Sequence, residues 1–481
     1  MNSSRASAEP LHVVVVGGGI SGLAAAAALR RRAPDLRVTV LEAAPEVGGK
    51  LMLAEVAGIT VDVGAEAMLN RRPEATALAR EYGLGDRLVH PATTSANLWS
   101  RGRMSPMPRT LMGVPVDARA LADSGVISPA GLARATLDAV MPATRLGESD
   151  VSVGWLIEER FGKEVVDRLV EPLLGGVYAG HARRLSARAT VPQVVALLDR
   201  DKSMLRAAAA ATASSRAGAD VPVFAGIDGG VGTLPRAVAA DPDIEVRTGA
   251  TVRELARRSG GGWNLVVGST HDPVVVQADA VVLATPAAPT SRLLSDVAPD
   301  AAVELAQIEY ASMAIVTMAF RRREFPETSG SGFLVPPVDG RLVKGATYSF
   351  AKWAWVAEAG RGADHGDDLL VMRCSIGRHH EEQALQVDDE RLVELALHDL
   401  SDAIGLSVRP VDSHVQRWGG GLPQYAVGHL DRVRQVRLSV AKAGPVAVCG
   451  AAYDGLGIPA CIASAEAAAT RVLEALSDER E

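Results

Sequence analysis

The sequence predicts an α/β protein whose main unit is a discontinuous Rossmann-like dinucleotide-binding domain, interrupted by an inserted helical domain and an α+β domain. Three observations predict it. The apolar run Leu11 to Val16 leads directly into Gly17-Gly18-Gly19-Ile20-Ser21-Gly22 and then into the helix-forming run Leu23 to Arg32. Two more apolar, strand-like runs lie far downstream, Ala280 to Thr285 and Val446 to Gly450. Between these pieces the chain changes character twice, first to a helix-rich stretch and later to one that alternates strands with a helix.

Strand, glycine turn and helix start stand in the order a dinucleotide pyrophosphate requires. Gly17 permits the tight turn, Gly18 and Gly19 let the backbone approach the phosphates, and Gly22 lets the helix pack on the strand. The free N–H groups at the helix start, around Ile20 and Ser21, face the anion. Twenty residues past Gly22, the strand Val38 to Leu41 ends in Glu42, placed to accept hydrogen bonds from a ribose diol. The chain continues through Ala43-Ala44-Pro45-Glu46-Val47-Gly48-Gly49-Lys50 to Asp62-Val63-Gly64-Ala65-Glu66. This Glu-(x)5-Gly-Gly-Lys stretch resembles the extended FAD fingerprint of the amine oxidase and phytoene desaturase superfamily. The resemblance implies FAD as cofactor, with Glu42 and Ala43 on its adenosine side. It implies Lys50 beside the pyrophosphate, and Gly64, Ala65, Glu66 and Ala67 beneath the flavin.

The remaining elements follow in order. Gly229-Gly230-Val231-Gly232-Thr233-Leu234 opens a helix, and Ile244 to Arg247 reads as a strand. Trp263 to Val267 and Val274 to Gln277 read as a β-hairpin. Pro286 stops the strand begun at Ala280. Pro459 suits the first position of a closing helix that runs to Leu476, and the positive end of its dipole suits charge developing on a bound ring. The dinucleotide domain is thus expected over 11–70, 221–294 and 440–481. The helical insert is expected over 91–220, with Val151 to Leu174 periodic and an alanine-rich helix from Arg206. The substrate-binding domain is expected over 305–430, with 71–90. No second GxGxxG follows a strand, so NAD(P) is not expected to take the electrons.

Bulk properties limit the function classes. The 481 residues suit two or three domains. A formal charge of −7 argues against nucleic acid as a partner. No run of about 18 apolar residues occurs to span a membrane, and the apolar run behind the polar Met1 to Pro10 is too short for a signal-peptide core. Cys374, Cys449 and Cys461 have no metal-ligand spacing and read as buried thiols of a reducing, cytoplasmic setting. His379-His380 is adjacent in sequence, so in a regular helix or strand the rings diverge, and no metal site is expected.

Several segments narrow the family. Glu171-Pro172-Leu173-Leu174-Gly175-Gly176-Val177-Tyr178-Ala179-Gly180, Leu422-Pro423-Gln424-Tyr425-Ala426-Val427-Gly428-His429 and Gly450-Ala451-Ala452-Tyr453-Asp454-Gly455-Leu456-Gly457-Ile458-Pro459 together resemble the protoporphyrinogen/coproporphyrinogen oxidases of haem biosynthesis. Ala460 departs from the Asp that many relatives carry. The resemblance implies Val252 at the adenine, Trp418 close to the cofactor, and Ala451 with Leu456, Gly457 and Ile458 along the flavin ring. It implies a porphyrinogen substrate, with molecular oxygen reoxidising the flavin and releasing hydrogen peroxide. The Met107-Pro108 to Pro115 stretch resembles the soluble bacterial branch that acts on coproporphyrinogen III; protoporphyrinogen IX is the alternative. Downstream haem-pathway enzymes are expected as transient partners.

No residue is assigned a catalytic role, because a flavin supplies the chemistry. Four propionates call for cations: Arg71 and Arg72 are candidates, as are Lys344 and the cluster Arg101, Arg103 and Arg109. An amine oxidase or carotenoid desaturase is a rival within the superfamily, and a non-catalytic flavin-binding tetrapyrrole carrier is a rival outside it.

Overall fold

The computed structural model describes residues 10–216 and 222–478. The end of the alanine-rich stretch begun at Arg206 and the polar N-terminal residues before Pro10 lie outside the described residues. Five parallel strands form the central sheet, in the order Ile244–Arg247, Arg37–Leu41, His12–Val16, Ala280–Leu283, Val446–Val448. Period-two alternation divides the first strand between two cores. Val13 and Val15 face the helices Ile20–Arg32 and Ile458–Asp478. Val14 and Val16 face the antiparallel sheet Val252–Arg257, Trp263–Gly268, Pro273–Ala278. Burial on both sides explains why this strand reads as an unbroken apolar run. The alanines of Ile20–Arg32 are buried, which lets the terminal helix pack closely against it.

A second sheet of seven strands has the order Asp412–Pro423, Tyr310–Arg321, Leu369–Ile376, Val343–Thr347, Gly332–Leu334, Asn97–Ser100, Arg103–Pro106. All pairings are antiparallel except that of Gly332–Leu334 with Asn97–Ser100. Residues 97–106, read from sequence as part of the helical insert, are therefore the edge hairpin of this sheet. Residues 71–90 also sit elsewhere than expected. The helix Pro73–Glu81 buries Ala75, Leu78 and Ala79 in the core beneath the terminal helix, on the dinucleotide-binding side. Its apolar face is satisfied there, and sequence distance from the second sheet carried no information about that.

The helical insert has its own core, from Val114 to Ala208, and Tyr425 enters it from the second sheet. The periodic stretch from Val151 is broken at Gly162, whose φ of +87° turns the chain between Val153–Phe161 and the helical run that ends in Glu171–Tyr178. Among the described residues, no helix is long and apolar enough to cross a membrane.

Candidate functional site

The glycine turn is closed so tightly that side chains are excluded on geometric grounds. A β-carbon at Gly22 would lie 1.7 Å from the Gly17 carbonyl oxygen, and one at Gly18 would lie 2.9 Å from Cβ of Glu42. Gly17 has φ +109° and donates its N–H to the Leu41 carbonyl at 2.8 Å. Gly19 is different: a β-carbon there would meet nothing nearer than Cα of Gly49 at 4.0 Å. The second glycine pair packs on the first turn, Gly48 N–H donating to the Gly18 carbonyl at 2.9 Å. Two bare backbone surfaces thus face one another, as a phosphate cradle requires.

Glu42 is held over this cradle. Its carboxylate accepts from Gly18 N–H at 2.5 Å and from Ala44 N–H at 2.7 Å. Two acceptors on each oxygen leave capacity for a diol. Its carbonyl accepts from Ala250 N–H at 2.7 Å, which brings the loop before Val252 beside it.

Positive potential converges from three sources. The helix Ile20–Arg32 begins at the turn, and the helix Ile458–Asp478 begins close by. Gly450 links the two: its N–H donates to Ser464 Oγ in the second helix at 3.4 Å, and a β-carbon on it would lie 3.6 Å from Oγ of Ser21. The third source is Lys50. Protein crowds its ammonium although part of its surface stays open, and burial lowers its pKa. Among the described residues the ammonium has no hydrogen-bond or ion-pair partner. Two helix N-termini and an uncompensated lysine around a cradle of bare backbone suit a pyrophosphate. The residues present fit a dinucleotide.

The segment Gly64 to Ala67 lies against the same region. A β-carbon at Gly64 would be 2.0 Å from the Lys50 carbonyl and 3.3 Å from the Trp418 ring. Trp418 is thereby brought to the segment expected beneath the flavin. The Glu66 side chain turns away to another task. Its carboxylate takes Lys352 Nζ at 2.5 Å and Arg373 Nε at 3.3 Å, with Ser349 Oγ donating at 3.3 Å. Burial alone would raise its pKa, but Arg373 and Lys352 outweigh burial and hold it down to about 2. Arg373 also donates to the carbonyls of Asp62 and Gly64, at 2.9 and 2.8 Å. Asp62 accepts from the N–H groups of Val231 and Gly232, both at 3.0 Å, and burial lifts its pKa to about 7.

The C-terminal segment meets the helical insert and the second sheet. Tyr425 donates its hydroxyl to the Ala451 carbonyl at 2.5 Å, and Leu456 packs against the insert's core while Ile458 joins the core beneath the central sheet. Gln424 donates to the Tyr178 carbonyl at 2.8 Å. His429 stacks on Tyr425, with ring centroids 4.0 Å apart and planes 13° apart; burial lowers its pKa to about 4 and keeps it neutral.

The expected cations do not gather in one place. Arg71 lines a cavity of about 300 Å³ with Asn70, Thr76, Arg80 and His90, and among the described residues it has no ion-pair partner. Arg72 is bound to Glu74 at 2.5 Å. Lys344 is 2% exposed, its Nζ has no hydrogen-bond partner, and burial with the nearby Arg378 brings its pKa to about 7. Arg101 is bound to Glu164 and to the Val126 carbonyl, and Arg103 and Arg109 are exposed. His379 and His380 correct the expectation that their rings diverge: the centroids lie 3.9 Å apart. The reason is the left-handed backbone of His380, at φ +67°, which adjacency in sequence does not reveal. Sequence reading also missed Arg373 and Lys352, which lie about 300 residues from Glu66 and carry no local signature.

Residues 20–473 match the model of the flavin containing amine oxidoreductases. The chain belongs to that family. As a flavin containing amine oxidoreductase it is a flavoprotein oxidoreductase with FAD as its cofactor. The chain is 37% identical to coproporphyrinogen III oxidase of Mycobacterium bovis, over 97% of this chain and 98% of that one. It is 30% identical to coproporphyrinogen III oxidase of Bacillus subtilis, over 96% and 98%. A crystal structure of a candidate protoporphyrinogen oxidase from Exiguobacterium sp. 255-15 superposes with a TM-score of 0.84 at 30% identity, covering 96% of this chain and 99% of that chain.

Proposed function

We propose that this flavoprotein oxidises coproporphyrinogen III to coproporphyrin III, with molecular oxygen as acceptor and hydrogen peroxide as product, in the cytoplasmic synthesis of haem. The observation that carries this reading is the full-length match to coproporphyrinogen III oxidases at 37% identity. The intact cradle supports it. A porphyrinogen loses six electrons on aromatisation, and bound FAD supplies the hydride acceptance. The chain's own residues bind, orient and neutralise.

In this reading Gly17, Gly18, Gly19 and the N–H groups of Ile20, Ser21 and Gly22 take the pyrophosphate, and Lys50 offsets its charge. Glu42 and Ala43 face the ribose, and Val252 the adenine. Trp418 and the backbone of Gly64, Ala65, Glu66 and Ala67 border the ring on one side, and Ala451, Leu456, Gly457 and Ile458 on the other. The second sheet forms the substrate wall. Of Arg71, Arg72 and Lys344, Arg71 suits a propionate best, being free of an ion-pair partner among the described residues, whereas Arg72 is engaged and Lys344 is enclosed. The product passes to the next haem-pathway enzyme by transient contact.

The test mixes the FAD-loaded chain with coproporphyrinogen III without oxygen, then admits air. The expected result is loss of the oxidised flavin absorbance, then its return with porphyrin fluorescence and peroxide, faster than with protoporphyrinogen IX. A flavin that stays oxidised under anaerobic substrate overturns the proposal.

A further inference from the structure

Glu309, His379 and His380 form a cluster that flavin chemistry leaves unused. Glu309 stands immediately before the strand Tyr310–Arg321. The two histidines follow its antiparallel neighbour, Leu369–Ile376. One ligand atom from each of the three residues lies within 4.8 Å of the others. Nε2 of His379 is 3.5 Å from Oε2 of Glu309, and Nε2 of His380 is 4.0 Å from it.

The backbone is arranged to bring these groups together. A left-handed φ is uncommon for a residue with a β-carbon, yet His380 adopts it, which turns its ring back alongside that of His379. The turn is fastened by His380 N–H donating to Oε1 of Glu382 at 3.0 Å and by Glu381 N–H donating to the Arg378 carbonyl at 2.9 Å. His379 N–H donates to the Ala179 carbonyl at 2.7 Å, and the His379 carbonyl lies 3.1 Å from Nε2 of His181. His379 is buried, while His380 and Glu309 are open to solvent. Metal–ligand bonds of about 2.0–2.2 Å in a tetrahedral site set neighbouring donor atoms roughly 3.4 Å apart. One of the three donor pairs already has that spacing, and the His380 ring, whose Nε2 is 4.0 Å from Oε2 of Glu309, is exposed and free to rotate toward it.

We propose that Glu309, His379 and His380 bind a divalent d-block cation of the zinc class. Two imidazoles and one carboxylate are the donors that such ions take, and water or an exogenous ligand completes the shell. The ion would tie the entry to one strand of the second sheet to the loop leaving its neighbour, where that loop touches the helical insert at Ala179. This site is independent of the flavin reading, so either can fail alone.

The test is isothermal titration of the full-length, FAD-loaded chain with zinc chloride, beside Glu309→Gln, His380→Ala and the double variant. The expected result is one zinc ion per wild-type chain, weakened at least about tenfold in each single variant and lost in the double variant. Flavin absorbance and melting temperature in metal-free buffer confirm that each variant is folded. Absence of zinc uptake by the wild-type chain, or a loss smaller than tenfold in the folded variants, overturns the proposal.

Discussion

Glu66 shows how a residue can stand in a cofactor motif and serve the fold. Its neighbours Gly64 and Ala65 line up against Lys50, but its carboxylate is taken by Lys352 and Arg373. The consequence is a defined pH dependence. Its folded pKa, about 2, lies below the usual 4.5. The stability it contributes is therefore fully present above about pH 4.5 and is lost as the pH falls through about 2. A depression of that size corresponds to about 3 kcal/mol. Glu66→Gln should therefore lower stability by about that amount at pH 7, and the gap between variant and wild type should narrow as the pH falls from 4.5 toward 2. Urea unfolding at a series of pH values reads this directly; a gap that stays constant across the window contradicts the assignment. Asp62 has the opposite sign: burial raises its pKa from the usual 3.8 to about 7, so its contribution to stability falls as the pH rises from about 3.8 to about 7 and is constant above that.

At the scale of elements, the Gln424 to His429 stretch acts as a staple. Gln424 holds the helical insert at Tyr178, Tyr425 holds the segment before the terminal helix at Ala451, and Gly428 N–H donates to Asp150 at 2.9 Å. Tyr425→Phe removes one buried hydrogen bond, worth about 1 kcal/mol, from the segment expected along the flavin ring. FAD should dissociate about fivefold faster, as measured by the rise of free-flavin fluorescence on dilution. An unchanged dissociation rate would detach Tyr425 from cofactor retention. The same stretch shows what was legible in sequence. Local order was: the glycine turn, Glu42, the hairpin Trp263–Ala278 and the closing helix follow from period, spacing and punctuation. Pairings set by tertiary distance were not. The hairpin at 97–106 joins the second sheet through the short strand Gly332–Leu334, and the Glu66 bridge spans about 300 residues. The His379–His380 geometry rests on one left-handed backbone angle, which no composition or period encodes.

For the whole molecule, Arg373 ties the second sheet to the segment Asp62 to Glu66, which packs on the Lys50 carbonyl. It stands in the interior strand Leu369–Ile376 and donates to the carbonyls of Asp62 and Gly64 while pairing with Glu66. Asp62 in turn fastens the loop at Val231 and Gly232. A ligand that binds only the folded cradle stabilises by RT ln(1 + [L]/Kd), and a joined seam passes that stabilisation to the second sheet. The wild-type chain should therefore melt in one transition whose midpoint rises with added FAD and falls when FAD is removed. Arg373→Met leaves the buried Glu66 with Lys352 as its one cation and takes both carbonyl bonds away, at a cost of about 3–5 kcal/mol for breaking a buried pair. Its melting should split into two transitions by calorimetry, only one of which moves with FAD concentration. A single FAD-responsive transition in the variant would show that this segment and the second sheet are coupled by apolar packing rather than through this arginine.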